Sequence, residues 1–265
     1  MAKVYLLLCF TLLASLHSKE IFIVAGQSNS WRLSQVKSGK YKLPYKLYYF
    51  GMRCTSEPKS AVLKEFTSIS EKSMSLGLIT KLMEIHQKDI VLVQYSRCGA
   101  GLWDKTSAGW FPGKNPQRGS SHEKGLCRSF EQYIQSVKDQ LKEMKVAWKP
   151  HCLFWHQGES DSRKPQELPY FEKRLVDLFY RLQRAIGVEV PIIIGEIREL
   201  NDNCKFVNKV LKKYAEANPR RFLVNTQDLT YEDKLERKNV HFDFQGIFKL
   251  GQRMASKYQS YLKNR

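Results

Sequence analysis

The sequence predicts an α/β domain in which a central parallel sheet is covered by helices on both faces. Two observations carry this expectation. Short apolar runs of the kind found in strands buried on both sides recur along the chain, and amphipathic helical patterns separate them. With 265 residues, 42% of them hydrophobic and 12% aromatic, there is material for one large core.

The first eighteen residues read as a signal peptide ahead of that domain. Lys3 supplies a positive start, the apolar stretch from Val4 to Leu16 has signal-peptide length, and Ser18 is a small residue at the cleavage position. The stretch is short for a bilayer, so no stable membrane span is expected. This reading places the domain at residues 19–265 and expects an exported protein, periplasmic or secreted.

Strands are expected at Ile21–Val24, Ile90–Val93, Cys152–Trp155, Val190–Ile194 and Phe222–Val224, with a weaker candidate at Leu47–Phe50. Helices fill the gaps between them. From Ser73 to His86, the residues Leu76, Ile79, Leu82 and Met83 recur at three- and four-residue steps, and from Ser129 to Met144, Phe130, Tyr133, Ile134, Val137 and Leu141 do the same. Between Pro169 and Ile186 the stripe is Phe171, Leu175, Leu178, Phe179 and Leu182, and Gly187 is a natural stop. Two more helices are expected over Cys204–Ala217 and Gln245–Leu262. Such alternation implies right-handed crossovers, with functional groups gathered beyond the carboxyl ends of the strands.

Charge and cysteine content narrow the function. The net charge of +18 favours anionic partners, yet no helix-turn-helix, zinc-finger or aromatic RNA-binding pattern accompanies it, so nucleic acid is not the expected partner. Lys249, Arg253 and Lys257 recur every four residues on the last helix, opposite Ile247, Leu250, Met254 and Tyr258, and read as a solvated face. Without Cys9 the cysteines are Cys54, Cys98, Cys127, Cys152 and Cys204, an odd number lacking zinc-ligand spacing. Metal binding by these cysteines is not expected.

Four short blocks carry the chemistry: Gly26-Gln27-Ser28-Asn29, Cys98-Gly99-Ala100-Gly101, Trp155-His156-Gln157-Gly158-Glu159-Ser160-Asp161 and Val240-His241-Phe242-Asp243. The first three follow expected strands, and the last precedes the terminal helix. A serine hydroxyl attacks an acyl carbon only when a base takes its proton, and His241 is the candidate base for Ser28. The tetrahedral intermediate needs donors at its oxygen, which the backbone N–H groups of Ser28 and Gly99 and the Gln157 amide can supply. Each residue also has a bland reading: Ser28 as a helix cap, Glu159 as a first-turn charge, His241 as a packing histidine. Trp103, Trp110 and Phe111, on or beside the long stretch Asp104–Glu123, are either stacking faces for a sugar or buried loop residues.

Taken in order, the blocks resemble the SGNH-type hydrolases of the sialate O-acetylesterase and acetylxylan esterase branch, related to carbohydrate esterase family six. The similarity covers most of the chain after residue 20. It implies a three-layer, flavodoxin-like domain that removes O-acetyl groups from sialic acid or a polysaccharide through an acetyl-serine intermediate, without a metal or cofactor. The substrate is then an acetylated carbohydrate, and the basic charge suits an anionic one. Ser28 is the implied nucleophile, His241 the base, and Ser28, Gly99 and Gln157 the oxyanion hole. Members commonly carry an aspartate three residues before the histidine, whereas Lys238 stands there in this chain. The resemblance therefore assigns the orienting carboxylate to Glu159, with Asp243, Glu236 and Asp233 as other candidates. Cys98 also replaces the first of two adjacent glycines. A descendant that lost its triad acid would be a noncatalytic carbohydrate-binding protein, the alternative function.

Overall fold

The computed structural model describes residues 19–52, 60–73, 75–105, 108–113, 125–232 and 240–265. In chain order the strands are β1 (Glu20–Gly26), β2 (Tyr41–Phe50), β3 (Leu63–Ile69), β4 (Ile90–Ser96), β5 (Pro150–His156), β6 (Ile192–Gly195) and β7 (Arg221–Val224). The helices are α1 (Ser28–Ser34), α2 (Leu76–His86), α3 (Leu126–Glu143), α4 (Phe171–Ile186), α5 (Asp202–Glu216) and α6 (Phe244–Lys263), and a 3₁₀ turn at Pro165–Tyr170 leads into α4. The segment read as a signal peptide lies outside the described residues.

The seven strands form one sheet in the order β3-β2-β4-β1-β5-β6-β7. Six run parallel as expected, and β3, where no strand was expected, pairs antiparallel with β2. The physical reason is exposure. β3 is an edge strand with half-solvated faces, so Leu63, Phe66 and Ile69 are diluted by Lys64 and Glu65 and give no continuous apolar run.

Successive side chains of a strand point to opposite faces, and β1 divides its apolar residues accordingly. Ile21, Ile23 and Ala25 join Tyr133, Phe179 and Leu211 of α3, α4 and α5 in one core. Phe22 and Val24 join Leu82 of α2 and Leu250 and Met254 of α6 in the other. The result is three layers, with β1 buried along its whole length.

Chain order around β1 decides where function can sit. β1 lies between β4 and β5, so the chain reverses direction across the sheet at β1 and the loops after all three strands open at one rim. Such a reversal leaves a crevice beyond the carboxyl ends of the strands. By contrast, a cavity of about 600 Å³ lined by Val176, Tyr180, Val188, Tyr214 and Arg221 lies at the opposite end, beside the beginnings of β6 and β7. None of the four sequence blocks reaches it. No described helix is long and apolar enough to cross a membrane.

Candidate active site

Gly26 closes β1 with φ +134°, and a Cβ there would lie 2.3 Å from the His156 carbonyl oxygen of β5. Glycine therefore allows β1 and β5 to approach closely at the rim. The turn is fixed by Gln27 N–H donating to that carbonyl at 2.9 Å and by Arg97 N–H donating to the Gly26 carbonyl at 3.1 Å. Ser28 follows as the first residue of α1, where backbone N–H groups have no intrahelical acceptor.

His241 comes from a segment 213 residues away, yet its Nε2 stands 3.0 Å from Ser28 Oγ in a hydrogen bond. Its neighbours account for the placement. Tyr231 and Phe242 form an antiparallel bridge, with Glu232 N–H donating to the His241 carbonyl at 3.0 Å and Asp243 N–H to the Thr230 carbonyl at 3.2 Å. Phe242 is fully buried, stacked on Tyr231 and edge-on to His156. Arg32 of α1 donates to the Phe242 carbonyl at 2.9 Å and pairs with Glu232.

Asn29 joins the blocks more directly than its place in the sequence suggested. Its Nδ2 donates to Glu159 Oε1 at 2.7 Å and to the Val240 carbonyl at 2.9 Å, while its Oδ1 accepts the Phe242 N–H at 3.3 Å. One amide thus holds both chain neighbours of His241. Glu159, 2% exposed, also stands 3.3 Å from His156 Nδ1. Among the described residues no hydrogen bond joins Glu159 to His241, and the link between them runs through Asn29. Of the other carboxylates, Asp243 caps α6, accepting the Gly246 N–H at 2.7 Å and the Thr230 hydroxyl at 2.6 Å. Asp233, Glu236 and Lys238 lie outside the described residues.

The Gln157 side chain is oriented differently from the expectation that it faces an oxyanion. It is fully buried, and its amide donates to the Ala100 carbonyl at 3.3 Å and, in a very short contact, to Asp161. Both amide hydrogens are therefore committed inside the protein. Gly99, at φ +75°, has open space on its Cβ side, so the backbone is accessible where the loop turns. Cys98 beside it is disulfide-bonded, and Cys127, Cys152 and Cys204 are buried thiols outside any disulfide.

Trp110 is a core residue and not a sugar platform. It is fully buried against Tyr95, Phe130 and Trp155, and its indole N–H donates to the Gly26 carbonyl at 2.9 Å. Trp103 lies under the Lys164 ammonium at 4.9 Å, and Phe111 has Lys105 and Arg174 each 5.6 Å from its ring centre. His156 is buried, its Nε2–H donating to the Glu196 carbonyl at 3.0 Å, as suits a structural histidine. Among the described residues no three His, Cys, Asp or Glu side chains gather in a way that could hold a metal ion.

A family profile, "Carbohydrate esterase, sialic acid-specific acetylesterase", matches residues 18–260. The chain belongs to this family. It is a carbohydrate esterase, and so a carboxylic ester hydrolase. Solved structures share the esterase's fold: NanS, at 13% identity and TM-score 0.62, over 94% of this chain and 98% of that one. A protein from Arabidopsis thaliana gives 15% and 0.61, over 92% and 98%. A carbohydrate acetylesterase from Xanthomonas citri gives 13% and 0.60, over 93% of this chain and 57% of that one. No curated protein sequence matches the esterase.

Proposed function

We propose that the esterase removes O-acetyl groups from an acidic carbohydrate, sialic acid in the first instance, through an acetyl-Ser28 intermediate. The observation that carries this reading is the 3.0 Å hydrogen bond between Ser28 Oγ and His241 Nε2. With its proton on Nδ1, His241 offers a lone pair to the serine hydroxyl. As Oγ bonds to the acetyl carbon, its proton passes to Nε2, and His241 then returns that proton to the departing sugar oxygen. Water, deprotonated by the same nitrogen, attacks the acetyl-serine, and acetate leaves as Nε2 returns that proton to Ser28 Oγ.

The backbone N–H groups of Ser28 and Gly99 serve the developing oxyanion, each worth about 3 kcal/mol. Gln157 supports the loop from behind. Glu159 acts on the histidine segment through Asn29. The basic side chains around Trp103 and Phe111 support an anionic sugar, and a disulfide at Cys98 supports export, since such bonds persist in oxidising compartments. Residues 1–18 as a signal peptide and residues 19–265 as the domain are part of the same proposal.

The test is release of acetate from O-acetylated sialic acid and from p-nitrophenyl acetate by wild type, Ser28→Ala and His241→Ala. Both variants are expected to lose at least about a thousandfold in kcat. Mass spectrometry of quenched reactions is expected to find the acetyl group on the peptide containing Ser28. A second reading, sugar binding without turnover, follows from Lys238 standing where related chains commonly carry an aspartate. Wild-type binding of O-acetylated sialic acid with no acetate release would establish it.

A further inference from the structure

Asp161 is a buried carboxylate close to the reaction centre, and none of its hydrogen bonds goes to Ser28 or His241. Its Oδ1 accepts the Leu102 N–H at 2.9 Å, and its Oδ2 accepts the same N–H at 3.2 Å together with the Gln157 amide. The Trp103 N–H also donates to it. The second amide hydrogen of Gln157 goes to the Ala100 carbonyl, while among the described residues the buried Gln157 Oε1 has no hydrogen-bond partner. Donation alone therefore fixes how this amide is turned.

Together the two side chains hold Ala100, Leu102 and Trp103, just after Gly99. The other end of the loop is tied by Arg97 N–H to the Gly26 carbonyl at 3.1 Å. Gly99 lies between the two anchors, its Cβ side open.

A carboxylate is a costly residue to keep here. Burial pushes Asp161 up to about 7, although Gln157, Leu102 and Trp103 all donate to it and Arg174 is the nearby positive charge. An asparagine would keep the Leu102 bond and remove the charge. What it would lose is simultaneous acceptance from Leu102 and Gln157. Its NH₂ would have to face Gln157, turning the Gln157 oxygen inward against the Ala100 carbonyl and releasing the residue next to Gly99.

We propose that Asp161 is a positioning residue of the esterase: through Gln157 and Leu102 it fixes the loop that presents the Gly99 N–H to the reacting ester. The inference rests on the reading of Ser28 as nucleophile. Asp161→Asn is therefore assayed with wild type and Ser28→Ala, using p-nitrophenyl acetate, with active sites counted by diethyl p-nitrophenyl phosphate. Urea unfolding reports stability in parallel.

The expected result is a kcat per titrated site reduced about tenfold or more, with KM within about threefold, because a transition-state contact is lost and ground-state binding is kept. The urea midpoint stays near that of wild type, since removal of a buried charge offsets the lost tether. Gln157→Met cuts the same link from the other side and is expected to show the same split, which keeps the test decisive should Asp161→Asn not fold. Wild-type kcat per titrated site in either folded variant, or activity lost only in proportion to unfolded protein, overturns the inference. Failure of Ser28→Ala to abolish turnover overturns the nucleophile reading instead.

Discussion

Replacing Asn29 with alanine tests whether one amide positions His241, the proposed base. The substitution deletes the bonds to Glu159 Oε1 at 2.7 Å, to the Val240 carbonyl at 2.9 Å and from the Phe242 N–H at 3.3 Å. The two neutral bonds contribute about 1 kcal/mol each and the bond to the carboxylate about 1.5–3 kcal/mol, so about 3.5–5 kcal/mol of stability is at stake. Domains commonly have about 5–15 kcal/mol in total, so the variant is expected to fold at 25 °C with much of its margin gone. Glu159, buried and deprived of its donor, adds to the loss.

Catalysis is expected to suffer more than folding. Val240 and Phe242 flank His241, and misplacing a reacting group by about 1 Å can cost about a hundredfold in rate. Tryptophan-fluorescence urea titrations and kcat measured per active site separate the two effects. A double-mutant cycle with Glu159→Gln is expected to give a coupling of about 0.5–3 kcal/mol, the range for residues in one hydrogen-bond network. Stability within about 1 kcal/mol of wild type together with unchanged kcat would refute the reasoning, because a nearly buried three-bond bridge cannot be removed without consequence.

Two further predictions address packing and pH. Trp110→Ala is expected to cost about 3–5 kcal/mol in urea unfolding, as for other large buried aromatics, whereas a sugar-stacking role would raise KM and leave stability alone. At the opposite end of the sheet, a hydrogen bond from His151, with Lys88 adding a second, holds Glu20 down at about 2 against a usual 4.5. A depressed carboxylate stabilises the fold above about pH 4.5, and that contribution is lost as the pH falls toward 2. Allowing for solvent screening, Glu20→Gln is expected to cost about 1–2 kcal/mol at neutral pH. The gap from wild type then narrows by about pH 3, and a constant gap would count against the assignment.

Much of the fold was legible because its strands are buried on both faces. Ile21–Val24, Ile90–Val93 and Cys152–Trp155 are continuous apolar runs, and each is the core of a longer observed strand. Exposure hid the rest. The first half of β2 and all of β3 mix lysines and polar residues with apolar ones, so only Leu47–Phe50 stood out. Of the candidate site, Ser28 and His241 were legible as members of blocks. Their meeting depends on Phe242 and Tyr231, two aromatics without a distinguishing pattern in the chain. Asn29 was visible only as the last residue of its block, since a side-chain amide gives no hint of which three groups it will join. Gln157 shows the converse: its residue type suits an oxyanion, and only packing against Ala100 and Asp161 turned it inward.

The amino-acid order alone determined the layered α/β class and the chemical parts, because burial on two faces and side-chain type are local properties written residue by residue. The folded chain decided which parts meet. β1 sits between β4 and β5, which sets the serine, glycine and glutamate loops at one rim, and a bridge between Tyr231 and Phe242 carries the imidazole across to them. Contacts across 130 and 213 residues, from Asn29 to Glu159 and from Ser28 to His241, are properties of strand order and loop closure, which no stretch of sequence contains by itself.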